Sequence, residues 1–190
     1  MNKIRRSKIE ATQGAKTSFV RTQSNAWLYN KDYPNLNKIS KYFDTVSQLS
    51  ISNTFSDQYM IESEPYQIGL YSPGGVFLPH MDTLKTQENF INSKKDYIGN
   101  RIATLMLYLS DVDGGGTAFT KINKLVYPKK GSSVFWFNLY SDGKEDTLTI
   151  HGACPTMYGI KWVSNKWIRS FAQIFKRPCH TTKPQRLHLL

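Results

Sequence analysis

The chain has 190 residues, of which 39% are apolar and 21% are charged, and its formal net charge is +11. This length favours one domain with a single core, and the composition excludes disordered and collagen-like chains. No stretch approaches the roughly 20 apolar residues of a membrane span, and no apolar segment follows the charged N-terminus as in a secretion signal.

The positive charge is concentrated at the two ends of the chain. Residues 1–50 carry a net charge of +6, and residues 151–190 carry +7. Such an excess suits a nucleic acid, an anionic surface or an acidic partner, and it equally suits a solvated basic surface. Aromatic and basic residues are not interleaved as in RNA-binding proteins, so we expect no nucleic-acid partner.

Residues 1–60 are predicted to form an N-terminal region that is irregular at first and then helical. The first 35 residues are polar, with one short ordered piece at residues 25–28. A helix is predicted after Pro34, because apolar residues then follow at spacings of three and four. These residues are Leu36, Ile39, Phe43, Val46 and Ile51.

After residue 60 the pattern changes to short strands separated by turns such as Ser72-Pro-Gly-Gly75. The predicted strands are 66–71, 101–109, 117–120, 124–127, 133–139, 147–151, 157–161 and 169–175. Short strands at regular turn spacing predict an antiparallel sandwich or barrel. Residues 84–98 are predicted as a polar loop over one mouth of the barrel, and residues 179–190 as a flexible basic tail.

The motif that carries chemistry is Pro79-His80-Met-Asp82. In an extended segment, residues two apart point to the same side, so the His80 imidazole and the Asp82 carboxylate can converge on one point. His151, at the end of a predicted strand, can supply a third ligand from across the barrel. Two imidazoles and a carboxylate without a thiolate suit iron, manganese or zinc. Taken alone, His-x-Asp is more often a surface pair.

Lys161 lies ten residues after His151, at the end of the next predicted strand. A lysine inside a barrel is costly unless it meets an anion, and a dicarboxylate would supply one. A single lysine is more often solvated, so the spacing matters more than the residue type.

Residues 66–179 contain six ordered sequence blocks that resemble the catalytic domains of collagen-type prolyl 4-hydroxylases. Their order and spacing make the resemblance far more specific than any one motif. The blocks are Tyr71-Ser-Pro-Gly-Gly-Val-Phe-Leu-Pro-His80-Met-Asp82, Gly99-Asn-Arg101-Ile-Ala-Thr-Leu, Ser110-Asp-Val-Asp-Gly-Gly-Gly-Thr117, Pro128-Lys-Lys-Gly-Ser-Ser-Val-Phe-Trp-Phe-Asn138-Leu, His151-Gly-Ala-Cys154-Pro and Lys161-Trp-Val-Ser-Asn-Lys-Trp167-Ile.

The resemblance implies a mainly β domain, a double-stranded β-helix or jelly roll with a flanking N-terminal helix, over residues 61–178. It implies Fe(II), 2-oxoglutarate and O₂, with ascorbate as a further cofactor. His80, Asp82 and His151 match the metal ligands, and Lys161 matches the partner of the distal carboxylate of 2-oxoglutarate. Other matched positions contact that carboxylate (Tyr71, Thr117) or line the peptide groove (Arg101, Trp167, Phe77). Arg169 stands where many relatives carry histidine, which bears on substrate choice.

The implied activity is 4-hydroxylation of peptidyl proline in collagen-like X-Pro-Gly sequences or a procollagen chain. The resemblance also implies a Cys154–Cys179 disulfide, with two buried thiols as the alternative, and a protein disulfide isomerase as a β subunit. The family resemblance points to the endoplasmic reticulum lumen, whereas the lack of a signal points to the cytoplasm. Two alternatives stay open: hydroxylation of an intracellular protein, and a non-catalytic jelly-roll binding module.

Overall fold

The fold is built mainly from β-strands. The computed structural model describes residues 5–6, 22–52, 62–84, 99–176 and 185–186. In these ranges one α-helix, α1, spans Pro34–Ser47, and 3₁₀ helices include Thr147–Thr149 and Phe171–Gln173. The strands in chain order are β1 (Arg5–Arg6), β2 (Ser24–Leu28), β3 (Tyr66–Tyr71), β4 (Phe77–His80), β5 (Arg101–Tyr108), β6 (Asp113–Gly114), β7 (Thr117–Phe119), β8 (Lys124–Val126), β9 (Ser133–Phe137), β10 (His151–Ala153), β11 (Thr156–Tyr158) and β12 (Lys161–Arg169).

The strands form two main antiparallel sheets and a two-stranded ribbon. The major sheet has the order β1-β2-β3-β12-β5-β9, the minor sheet the order β4-β10-β7-β8, and β11 pairs with β6. Each neighbouring pair is antiparallel. The predicted mainly β, double-stranded β-helix fold with a flanking N-terminal helix is therefore confirmed.

Two apolar clusters lie on opposite faces of the major sheet. Strand β12 shows why, since its odd-numbered residues face the minor sheet and its even-numbered residues face the other way. Val163 packs between the sheets with Tyr108 and with Phe119 of β7. Ile168 packs on the other face with Leu49 and Ile51, which follow α1. The major sheet is therefore packed firmly on both faces, so polar side chains that point into the space between the two sheets are held in fixed positions.

The helix begins at Pro34, as predicted, but its buried face differs from the apolar periodicity. Ile39 and Val46 are exposed, whereas Ser40 and Ser47 are buried. The Ser40 hydroxyl contacts Tyr66 Oη at 3.0 Å, so the helix docks on β3 partly through hydrogen bonds. This is a correction to the predicted packing face.

Three of the predicted strands were largely misplaced. Residues 147–149 form a 3₁₀ helix, and the strand begins at His151. The strand predicted at 157–161 covers the end of β11 (Thr156–Tyr158) and only the first residue of β12 (Lys161–Arg169). The strand predicted at 169–175 covers only the last residue of β12, and a 3₁₀ helix follows at Phe171–Gln173. Lys161 therefore begins a strand instead of ending one.

Some predictions concern residues outside the described part of the chain. The predicted loop at 84–98 is described only at residue 84, and the predicted tail at 179–190 only at Gln185 and Arg186. At these two residues the tail is bonded to the domain, since Arg186 Nε lies 2.9 Å from an Asp146 carboxylate oxygen. In the described ranges, no helix has both the length and the apolar character required to span a bilayer.

Candidate metal centre and adjoining pocket

Three predicted ligands meet where the minor sheet faces the major one. His80 ends β4, Asp82 follows two residues later, and His151 begins β10 directly opposite His80 in the strand register. The Asp82 carboxylate lies 3.6 Å from His80 Nε2 and 3.7 Å from His151 Nε2. Their ligand atoms all lie within 4.8 Å of one another, a spacing that one metal ion can bridge.

A glycine allows the two histidine-bearing strands to approach this closely. A Cβ atom on Gly152 would lie 2.8 Å from the carbonyl oxygen of Phe77 and 3.1 Å from the nitrogen of Pro79. Any larger residue would push β10 away from β4. The potential ligand His151 is thus followed directly by the glycine whose close contact with β4 positions it.

Each imidazole is fixed in the tautomer that metal binding requires. His80 Nδ1 lies 2.9 Å from the carbonyl oxygen of Leu78, and His151 Nδ1 lies 2.9 Å from that of Thr149. A carbonyl oxygen can only accept a hydrogen bond, so the proton is on Nδ1 and the Nε2 lone pair is free. The Phe77 ring stacks on His80 with centroids 3.7 Å apart, which further fixes that ring.

The charges in this group also favour a cation. Burial would raise the pKa of Asp82, but the nearby His151, His80 and Arg101 hold it well below its usual range. Burial lowers the pKa of His151, so this imidazole is neutral at pH 7. One carboxylate and two imidazole nitrogens, without a thiolate in the group, form a donor set that fits Fe(II) and leaves positions open.

The same pocket continues to Lys161, which is almost fully buried. Its ammonium group donates a hydrogen bond to the Gly115 carbonyl and lies 5.2 Å from the centre of the Tyr71 ring. Burial lowers the pKa of Lys161 to about 8. Ion pairs among the described residues do not include it. A buried ammonium without a carboxylate partner can receive an anion from solution.

Tyr71 and Thr117 line this pocket together with Lys161 and the three potential metal ligands. Tyr71 Oη donates to Gln23 Oε1 at 3.2 Å, so a residue just before β2 holds this pocket side chain in place. Thr117 Oγ1 accepts a hydrogen bond from Tyr108 Oη at 2.8 Å. The structure therefore brings all of the predicted cosubstrate residues into one pocket with the triad.

Of the four residues predicted for the peptide groove, only two line this pocket. Phe77 and Trp167 line the pocket. The Arg101 guanidinium lies over the Trp167 ring, 3.8 Å from its centre. Arg169 is only 2% exposed and its Nη1 donates to Glu64 Oε1 at 2.9 Å, so its charge is directed away from solvent.

Glu64 joins two of these residues and was not identified from the sequence. Its carboxylate accepts hydrogen bonds from Arg101 Nε at 2.6 Å and Arg101 Nη2 at 2.7 Å, a bidentate pair, in addition to the bond from Arg169. Arg101 Nη1 also donates to the backbone carbonyl of Asp82 at 3.2 Å. Glu64 thus connects Arg169 and Arg101 to the segment that carries Asp82, one of the three potential metal ligands.

Four other polar residues at the site also went unpredicted, although all four lie within the sequence blocks. Thr104 and Asn138 form hydrogen bonds that lead to Asp82. Trp136 and Asn165 line the pocket, each with a buried polar atom that has no hydrogen-bond partner in the structure. The blocks contained these residues but gave them no role. Glu64 lies outside every block, so no sequence signal pointed to it.

The predicted disulfide lies partly outside the described residues. Cys154 is half-buried just after β10, but Cys179 is not described. The pairing of the two cysteines therefore stays a prediction.

Sequence comparison identifies relatives of this chain. Residues 66–169 match the family model of the 2OG-Fe(II) oxygenase superfamily. The chain is 37% identical over 180 residues to prolyl 4-hydroxylase subunit alpha-1 of Homo sapiens, covering 93% of this chain and 32% of that protein. It is 34% identical over 181 residues to prolyl 4-hydroxylase subunit alpha-2 of Caenorhabditis elegans, with 93% and 32% covered. The chain thus spans about a third of the length of these relatives.

Structural comparison gives a similar result. The crystal structure of a viral collagen prolyl hydroxylase from Paramecium bursaria Chlorella virus-1, in its 2OG complex, superposes with a TM-score of 0.63 and 25% sequence identity. The match covers 78% of this chain and 79% of that chain. The resemblance in sequence therefore extends to the fold.

Proposed function

This chain belongs to the 2OG-Fe(II) oxygenase superfamily, because the family model matches more than half of its residues. We propose that it hydroxylates peptidyl proline at C4. The reaction would use O₂ and 2-oxoglutarate and release succinate and CO₂. The observation that carries this proposal is the His80–Asp82–His151 group in one pocket with the buried Lys161. The names of the relatives, all prolyl hydroxylases, support proline as the target.

In this proposal His80, Asp82 and His151 hold Fe(II) through two Nε2 atoms and one carboxylate. When bound, the iron activates O₂ in a reaction coupled to oxidative decarboxylation of 2-oxoglutarate. The Leu78 and Thr149 carbonyls orient both imidazoles so that each Nε2 faces the metal position. The protein also keeps Asp82 ionised, because the pKa of that carboxyl is held below its usual range.

Lys161 binds the distal carboxylate of 2-oxoglutarate through a charge-assisted hydrogen bond, with Tyr71 and Thr117 as further contacts. The ammonium is already held by Gly115, so binding costs little side-chain entropy. This arrangement directs the other end of the cosubstrate toward the three metal ligands. It also explains why a lysine is tolerated in a buried position.

The peptide would enter over Phe77 and Trp167, with the Arg101 guanidinium stacked on the indole. An uncharged proline ring suits such an aromatic surface, and collagen-like X-Pro-Gly sequences are the substrate class that we propose. Arg169 would act on the peptide through Glu64 and Arg101, since its own guanidinium is buried.

We also propose a domain division, partners and a compartment for this chain from its resemblance to the relatives. We assign residues 61–178 as the catalytic domain, preceded by the support region 1–60 and followed by the tail 179–190. Ascorbate would keep the iron reduced, a protein disulfide isomerase would serve as a β subunit, and the Cys154–Cys179 disulfide would suit the endoplasmic reticulum lumen. The cytoplasm with an intracellular protein substrate is the alternative, and a free-thiol count on the native chain separates the two.

The test is succinate formation with Fe(II), 2-oxoglutarate, ascorbate and a Pro-Pro-Gly repeat peptide, with mass analysis for hydroxyproline. We expect turnover that the peptide stimulates. His151→Ala should abolish it, and Lys161→Ala should raise the KM for 2-oxoglutarate by more than tenfold. Lys144→Ala, at a lysine whose side chain is 79% exposed, is the matched control and should leave turnover unchanged.

Two results would contradict the proposal. Full turnover in His151→Ala would exclude the metal triad. Metal and 2-oxoglutarate binding without any succinate, with or without peptide, would instead support a non-catalytic binding module.

A further inference from the structure

Asp82 is the only one of the three potential metal ligands that does not lie in a strand. His80 and His151 are part of β4 and β10, and backbone carbonyls hold their rings. Asp82 lies in the turn after β4. Its carboxylate can rotate about the bond to Cβ unless a side chain prevents this, so its orientation needs a separate explanation.

One buried side chain of the major sheet reaches this carboxylate, and a second buried side chain holds the first. Thr104, in the middle of β5, places Oγ1 2.7 Å from Asp82 Oδ2. Asn138, just after β9, places Nδ2 2.9 Å from the same Thr104 oxygen. Thr104 is 1% exposed and Asn138 is 0% exposed, so both bonds are shielded from bulk solvent.

The direction of both hydrogen bonds follows from the chemistry of the groups. An ionised carboxylate can only accept, so Thr104 must donate its single hydroxyl proton to Asp82. The Thr104 oxygen can then only accept from Asn138, which fixes the amide with its nitrogen toward the threonine. Asn138 therefore prevents the hydroxyl from turning its proton elsewhere.

The positions of these two residues are rigid. Thr104 pairs with Trp167 of β12 on one side and with Trp136 of β9 on the other, so its backbone is held between two strands. Threonine is also restricted in its side-chain rotation because it is branched at Cβ. Asn138 is anchored by its own backbone, whose N–H donates to Ile102 at 2.8 Å.

We propose that Thr104 and Asn138 are positioning residues that lock the Asp82 carboxylate toward the two imidazoles and thereby raise the affinity for the metal ion. Neither residue touches the metal or the substrate in this arrangement. The inference rests on the proposed function, since it assumes that the triad binds a divalent cation.

The test measures metal affinity alone, without 2-oxoglutarate, peptide or turnover. Mn(II) binding to the full chain is followed by electron paramagnetic resonance, and Co(II) binding by its visible absorption spectrum. Thr104→Val should raise the Kd for Mn(II) by about 10- to 100-fold, the range typical of residues that orient metal ligands. Thr104→Ser retains the hydroxyl and should restore the affinity to within about threefold.

Asn138→Ala is the second variant, because it leaves the threonine in place and removes only the group that directs its proton. Its Kd should lie between those of the wild type and Thr104→Val, with an altered Co(II) spectrum. Ser164→Ala is the matched control. Ser164 is buried on the opposite face of β12, so its loss should leave the Kd unchanged.

The outcomes separate this inference from the proposed function. If the wild type binds Mn(II) and His151→Ala does not, the metal site stands. If Thr104→Val and Asn138→Ala are then folded by circular dichroism and bind Mn(II) as the wild type does, the positioning role is excluded. If the wild type itself binds neither ion, the proposed function fails and this inference with it.

Discussion

At the scale of single residues, one carboxylate organises the outer part of the site. Glu64 accepts three hydrogen bonds from Arg101 and Arg169, and Arg101 in turn lies on the Trp167 ring. Without this carboxylate, two guanidinium groups would face each other in a poorly solvated space. The orientation of Arg101 over the proposed peptide path therefore depends on a residue that does not line the pocket.

Glu64→Gln should lower both stability and peptide affinity. An amide cannot neutralise two arginines, so we expect the free energy of unfolding to fall by about 2 kcal/mol, less than for a fully buried pair because Arg101 and Glu64 are partly exposed. The KM for the peptide should rise more than the KM for 2-oxoglutarate. Denaturant unfolding and steady-state kinetics measure these effects. Asp32→Asn, at an exposed residue, is the charge-matched control. An unchanged peptide KM in Glu64→Gln would contradict the role of Glu64 in orienting Arg101.

The pKa of Lys161 predicts a pH dependence of cosubstrate binding. Burial lowers this pKa to about 8, and only the ammonium form attracts a carboxylate. The affinity for 2-oxoglutarate should therefore be constant below about pH 7 and fall as the pH rises through 8, by at most tenfold per unit. Calorimetric titration of the Mn(II)-loaded protein measures it.

Lys161→Arg provides the control for that prediction, because a guanidinium stays charged over this range. Its affinity should be lower than that of the wild type at pH 7 but nearly independent of pH up to 9. A parallel decline in both proteins would show that another group is responsible.

At the scale of elements, β12 shows where sequence patterns mislead. The strand is buried on both faces, and its sequence places lysines on each of them. Lys161 faces the pocket and Lys166 faces the other way, toward Asn30 and Tyr66, so the alternation of polar and apolar residues that marks an ordinary strand is lost. The strands 66–71 and 101–109 were predicted almost to the residue, because their apolar and β-branched character matches their buried positions.

Lys166 is the most unusual residue of this element. It is fully buried, its ammonium lies 4.3 Å from the centre of the Tyr66 ring, and its only close polar contact in the described structure is Asn30 Oδ1 at 3.4 Å. Burial lowers its pKa to about 7, although Glu64, Asp44 and Glu62 act in the opposite direction. The folded state therefore binds this proton less tightly than the unfolded state does.

This shift predicts that stability rises with pH. Between about pH 7 and 10 the unfolded chain holds the Lys166 proton and the folded chain does not, so folding becomes more favourable as the pH increases. Below pH 7 both states are protonated and the full cost of burying the charge is present. Lys166→Met should raise the free energy of unfolding at pH 7 by roughly 2 kcal/mol, a value reduced by the lost contact to Asn30.

Urea unfolding at several pH values measures the effect. The difference between Lys166→Met and the wild type should shrink toward pH 10, since the neutral lysine is then tolerated. The slope contributed by Lys161 is common to both proteins and cancels in this difference. Lys144→Met, at an exposed lysine, should show no such trend. A stability difference that is independent of pH would contradict the shift in the pKa of Lys166.

At the scale of the whole molecule, the sequence predicted the fold and the clustering of His80, Asp82 and His151 better than the residues that support them. The histidines, aspartate and lysine occur in blocks whose order is itself informative. Glu64, Thr104 and Asn138 act through hydrogen bonds between strands that are far apart in the chain, and such contacts depend on a register that no local pattern encodes. Their roles could be assigned only once the strands were paired.

The net charge of +11 is a property of the whole chain that the proposed reaction does not use. A Pro-Pro-Gly peptide is neutral. Within the site, Arg101 and Arg169 are paired with Glu64, and Lys161 is proposed to bind a small dicarboxylate. We therefore expect the KM for a neutral peptide to change less than twofold between about 50 and 200 mM salt. Binding of a polyanion through several lysines would instead weaken by orders of magnitude over that range. Steady-state kinetics at fixed, saturating 2-oxoglutarate measure this KM, with an acidic peptide of equal length as the comparison. A steep salt dependence of the KM for the neutral peptide would show instead that the basic surface takes a direct part in substrate binding.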